Sequence, residues 1–140
     1  MKYLKYPVVA SDEHRMYEFF SEGPKGMIKK SVIYTQMEKD LFNLAFGDWN
    51  EERNRLDDFK RSNNGDRDKV LATVAFTAMD FTSRNPNVDL FIEGSTPART
   101  RLYQMGIGDN LMEINVNFEV KGFSKINGNP FREVEIMRHS

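Results

Sequence analysis

The sequence predicts an α+β fold in one domain, residues 1–140: a mixed, mostly antiparallel sheet in the element order β-β-β-α-β-α-β-β, with two main helices. Three observations carry this. In the first third of the chain Met16–Ser21 and Met27–Tyr34 flank a Gly-Pro turn, and Leu41–Gly47 alternates apolar and polar residues with the period of a strand. Between residues 64 and 107 the text reads loop, helix, strand, tight turn, helix. The last third returns to short apolar runs around an Asn-Gly pair, the usual mark of a hairpin.

Taken in order, Met16–Ser21 and Met27–Tyr34 flank Glu22-Gly23-Pro24-Lys25-Gly26, where proline and two glycines favour a chain reversal and hence a hairpin. In Leu41–Gly47 the residues Phe42, Leu44 and Phe46 alternate with Asn43 and Ala45, so a third strand completes a meander. The stretch from Asp48 to Lys60 has eight charged residues and only Trp49, Leu56 and Phe59 as apolar anchors, which reads as a surface connection with at most one helical turn. Asp66 then caps a helix whose stripe is Val70, Val74, Ala78 and Phe81, widened by Leu71 and Ala75. Arg84-Asn85-Pro86 stops it, because the residue before proline is driven out of the helical region. Val88–Glu93 alternates again as a strand, central in the sheet together with Leu41–Gly47. Thr96 as N-cap and Pro97 at the first position start the second helix, since proline there loses only an N–H that lacks a partner in any case. That helix runs to about Met105 or further, and Phe118–Phe123 and Phe131–Met137, joined through Asn127-Gly128, close the sheet.

Composition narrows the function. At 39% hydrophobic and 12% aromatic, a chain of 140 residues buries a core of its own. Twenty basic against twenty-one acidic residues, with no long run of one sign, give no field that would draw it to nucleic acid or an anionic membrane. With no cysteine, disulfides, thiolate metal sites and a cysteine nucleophile are excluded. His14 and His139 stand far apart, and no Ser, His and Asp grouping or metal-ligand spacing appears, so no metal site is expected. Apolar runs are too short for a signal peptide or a membrane span, so the expectation is a soluble, cytoplasmic protein.

The combination GPKG, FNLAFGD, SNNGDRDKVLATVA and GSTPARTRLYQMGI resembles a family of small bacterial proteins known only as a domain of unknown function, over nearly the whole chain. More loosely, the order of elements after residue 16, with the loop at Asn64–Lys69 and then VDLFIEGSTPARTRLYQMGI, is similar to the core of the GNAT superfamily of acyl-CoA N-acyltransferases. That resemblance implies coenzyme A bound by backbone N–H groups at the start of the first main helix, and a tyrosine, here Tyr103, as general acid. Ala98, Leu102, Tyr103 and Gly106 echo the superfamily's helix pattern, with Ile107 where an aromatic is usual. The loop has one glycine, Gly65, and two carboxylates, Asp66 and Asp68, which disfavour a pyrophosphate, and only about 15 residues precede the first strand, too few for the helices of an acceptor pocket.

Two helix starts are therefore the candidate binding sites, since each presents N–H groups without intrahelical partners. Arg61, Asn64 and Gly65 belong to the first, Ser95, Thr96, Arg99 and Arg101 to the second, and Arg99 and Arg101 point about 200° apart around the helix. The same residues equally make ordinary turns and caps, and Tyr103 beside Leu102 equally makes a packing residue. The expected function is a non-catalytic or degenerate GNAT-like module that binds a small anionic ligand or a protein partner in the cleft between the Gly65 and Ser95 turns. The alternatives are a coenzyme A-dependent N-acyltransferase and, third, a nucleic-acid-associated accessory protein.

Overall fold

The computed structural model describes residues 4–57, 64–92, 96–114, 118–122 and 134–138, and of 114 and the last two segments the backbone alone. The strands are β1 (Val9–Ala10), β2 (Met16–Gly23), β3 (Gly26–Glu38), β4 (Leu41–Asn50), β5 (Arg55–Asp57), β6 (Asp89–Ile92), β7 (Phe118–Gly122) and β8 (Val134–Arg138); the helices are α1 (Arg67–Arg84) and α2 (Pro97–Ile114). One sheet runs in the order β1-β2-β3-β4-β6-β8-β7, with β5 paired to β4. Every neighbouring pair is antiparallel except β4 and β6, whose parallel pairing makes the sheet mixed. The α+β class and the central places of the strands after residues 41 and 88 are as expected.

The expected first hairpin forms, closed by Gly23 opposite Gly26 around Pro24-Lys25, with Gly26 at φ +85° where only glycine is unstrained. β3 continues through the polar Thr35–Glu38, past a register irregularity between Gln36 and Glu38. Two short strands were not expected. The stretch from Asp48 is a correction: Asp48–Asn50 prolong β4 and Arg55–Asp57 fold back on it as β5, around a turn with Asn54 at φ +52°. The pairing of Trp49 with Leu56 explains it, because two isolated apolar anchors become cross-strand neighbours only in a hairpin.

In α1 all six residues of the expected stripe, Val70, Leu71, Val74, Ala75, Ala78 and Phe81, are buried. Its start differs in one respect: Asp66 stands at the N-cap but makes no side-chain cap hydrogen bond. Its carboxylate is taken instead by the Tyr6 hydroxyl at 2.6 Å and the Ser21 hydroxyl at 2.5 Å. The helix ends at Asn85, whose N–H and side-chain amide both donate to the Phe81 carbonyl. Thr96 caps α2 as expected, its Oγ1 accepting from the Arg99 N–H at 3.2 Å. α2 runs on through Gly106 and Gly108 to Ile114, because Gly106 lies against α1: a Cβ there would stand 2.5 Å from Leu71 Cδ1. The last two strands form, shifted by a few residues, and their Asn127-Gly128 turn lies outside the described residues.

Both helices cover the same face of the sheet. Phe81 of α1 stacks on Tyr34 at 4.2 Å, and Tyr103 of α2 meets Phe46 edge-on at 4.7 Å, while Tyr34 and Phe46 share the face of Tyr17, Phe19, Val32, Phe42 and Leu44. Leu90 and Ile92 continue that face on β6, and Ile107 and Leu111 close the core from α2.

Candidate functional site

β4 carries the site because it changes partner along its length. On the side away from β3, Leu41–Leu44 pair with β6 and Asp48–Asn50 with β5. Among the described residues no strand pairs with Ala45, Phe46 or Gly47 on that side. The described part of β6 ends at Ile92, whose carbonyl is taken by the buried Gln104 side chain of α2 at 2.9 Å.

Tyr103 is partly buried and meets Phe46 of β4 edge-on. Four residues earlier on the same side of α2 is Arg99, also partly buried, whereas Arg101 is exposed, as the angle between them requires. Thr96 holds the start of the helix. The first turn of α2 itself contains no acidic residue.

One inward position beyond Phe46 is Asp48, joined at 2.5 Å to Lys30 on β3. Both are buried, with relative exposures of 6% and 8%. Two charges out of water are tolerable because they neutralise each other, and removing one would leave the other stranded. Asp48 Oδ1 takes the lysine; Oδ2 is buried and, among the described residues, has no hydrogen-bond partner. A fully satisfied carboxylate accepts through both oxygens, so Asp48 keeps acceptor capacity. Sequence reasoning missed this pair, although the signal was present: Lys30 is in phase with Val32 and Tyr34, and Asp48 with Phe42, Leu44 and Phe46.

The start of α1 is built differently. Asn64 is buried, and its side chain accepts from the Lys25 N–H at 2.7 Å and donates to the Gly26 carbonyl at 2.9 Å and the Ser21 hydroxyl at 3.2 Å. Gly65 adopts φ +74°, a turn that suits glycine. The loop is thereby laced to the tip of the β2–β3 hairpin, and Gly23 admits it because any Cβ there would strike the Asn64 backbone. Asn64 and Gly65 thus hold the hairpin tip, while Thr96, Arg99 and Tyr103 lie along α2. Arg61 and Ser95 lie outside the described residues. No helix among the described residues is long and apolar enough to cross a membrane.

The chain belongs to a family of unknown function, DUF6934, whose model matches residues 2–139. No curated protein and no solved structure matches it.

Proposed function

We propose that this protein is a small cytoplasmic binding module, related to the GNAT core but non-catalytic or degenerate, whose binding face lies at the start of α2 beside Phe46 and Tyr103. The observation that carries the reading is the grouping on α2: Thr96 caps its start, and the partly buried Arg99 and Tyr103 follow on one side of the helix, with Tyr103 against Phe46 of β4 at 4.7 Å. The ligand is a small anion or carries an anionic group held at the start of α2, where the helix dipole and the Arg99 guanidinium act together. The α1 start is the poorer place for it, since the Asp66 carboxylate already occupies the donors of Tyr6 and Ser21. One observation favours the second reading, a coenzyme A-dependent N-acyltransferase. Tyr103, the residue the resemblance makes a general acid, is only partly buried and shares one side of α2 with Arg99.

Titration of the labelled protein with coenzyme A, a mononucleotide and phosphate, followed by amide NMR, tests the proposal. The amides of Thr96 and Arg99 are expected to move first. Arg99→Ala should then weaken binding by about 1.5–3 kcal/mol, the range of a hydrogen bond to a charged group, with folding nearly unchanged. Thr96→Ala should cost about 1 kcal/mol of stability with or without ligand. If none of the three ligands moves these amides at millimolar concentration, the anion site is refuted. Release of free thiol from acetyl-coenzyme A in the presence of amines would decide for the transferase.

A further inference from the structure

α2 does not bury all of its apolar surface. Leu102, Met105 and Met112 are 37%, 59% and 48% exposed. With Asp109 and Glu113 they fall within a stripe roughly 120° wide at about 100° per residue. Along this stripe a groove of about 240 Å³ runs between α2 and the first turn of α1, with Leu71 and Gly106 in its lining and Arg67 and Asp68 on the α1 side. The close approach at Gly106 lets Leu71 lie against α2.

Charge decides what fits there. Asp68 faces Arg67 at 3.8 Å, while among the described residues neither Asp109 nor Glu113 has an ion-pair partner. The groove is therefore apolar along its length and acidic at its rim, which repels the anions expected at the start of the same helix. A second, independent feature has the same sign. Asn110 lines the groove and is only 4% exposed; its Nδ2 donates to the Gly106 carbonyl at 2.7 Å, yet its Oδ1 has no hydrogen-bond partner among the described residues. Exposed carboxylates without ion-pair partners among the described residues, set around exposed Leu and Met, match a surface that supplies cationic donors and apolar side chains together. Flexible methionines suit such a contact because they repack around varied partners.

We propose that the groove between α1 and α2 is a docking site for a basic amphipathic helix of a partner protein, whose apolar face lies on Leu102, Met105 and Met112 and whose lysines or arginines meet Asp109 and Glu113. This is the helix-in-groove mode of recognition. It is independent of any ligand held at the start of α2.

The probe is a fluorescein-labelled Leu/Lys peptide of about four helical turns, titrated against the full chain at about 0.15 M salt, where long-range attraction is largely screened. A scrambled peptide of the same composition lacks the apolar stripe. The stripe peptide is expected to bind at least tenfold more tightly than the scrambled one. The double variant Asp109→Lys, Glu113→Lys, at two exposed positions, should weaken it at least tenfold while keeping the melting temperature. In methyl-labelled protein, Met105 and Met112 should shift, whereas the exposed Met27 and Met37 on the sheet should not. Equal binding of the scrambled peptide, indifference to the charge reversal, or shifts at Met27 and Met37 instead would each overturn the proposal. So would shifts of Met105 and Met112 upon simple dilution of the protein, which would make a second copy the occupant.

Discussion

Asn64 shows how one side chain can fix a loop. Buried in a strand-tip setting, it satisfies a backbone donor, a backbone acceptor and a hydroxyl in one contact set, work that water cannot do there. Asn64→Ala strands the Lys25 N–H and the Gly26 carbonyl, so it should cost about 2–3 kcal/mol, readable as a lowered urea midpoint at unchanged slope. A loss under about 0.5 kcal/mol would mean that solvent replaces those bonds. Lys30 and Asp48 follow the same logic with charge. Each is acceptable only because the other is present, and their burial is a property of the inward strand phase rather than of either residue type.

At the scale of the element, α1 is decided by its phase. Val74 has no exposed surface and sits at the centre of the buried stripe. Val74→Asp should therefore destabilise the protein by about 3 kcal/mol or more, through a carboxylate with no partner in the core. A melting temperature within about 1 °C of the parent would contradict that packing. α2 obeys a different constraint. It keeps two glycines in its interior, at an intrinsic cost of roughly 1 kcal/mol each relative to alanine, and the contact of Gly106 with Leu71 gives the first of them a purpose.

For the whole molecule, pH reports how the layers are joined. Tyr17 on β2 donates to Asp80 on α1 at 2.6 Å, and Arg84 holds the same carboxylate at 3.1 Å. Burial works against the charged Asp80, yet the hydrogen bonds from Tyr17 and Arg84 and the nearby positive charge outweigh it and set its pKa below the ordinary 3.8. Its contribution is thus complete above that value and fades as the pH falls through the depressed one. Tyr17, Tyr34 and Tyr6 have the opposite sign. Burial raises all three above 10.0, with Asp80 adding to the rise at Tyr17 and Asp66 at Tyr6, so their contribution is complete below pH 10.0 and is lost as the pH rises beyond it. Asp80→Asn should flatten the acid limb of the stability curve. On the alkaline side, tyrosine ionisation followed by absorbance should coincide with unfolding measured by circular dichroism. Full ionisation of these tyrosines near pH 10.0 in protein that stays folded would contradict their burial.

The sequence by itself determined the class and the local grammar: the Pro-Lys turn of the first hairpin, the α1 stripe from Val70 to Phe81, the stop at Asn85-Pro86, and the Thr96-Pro97 start of α2. These follow from periodicity and from backbone rules that act within a few residues. Tertiary structure decided what depends on distant partners. β5 exists because Leu56 finds Trp49; Asp66 serves Tyr6 and Ser21 rather than its own helix; and α2 passes Gly106 because Leu71 is there to meet it. The contact of Phe46 with Tyr103 belongs to this second group. Phe46 and Tyr103 are 57 positions apart in the chain, they meet at 4.7 Å, and the strand that carries Phe46 exchanges one neighbour for another along its length. No local pattern encodes such an exchange, since the pairing energy of a strand lies in residues far from it in sequence.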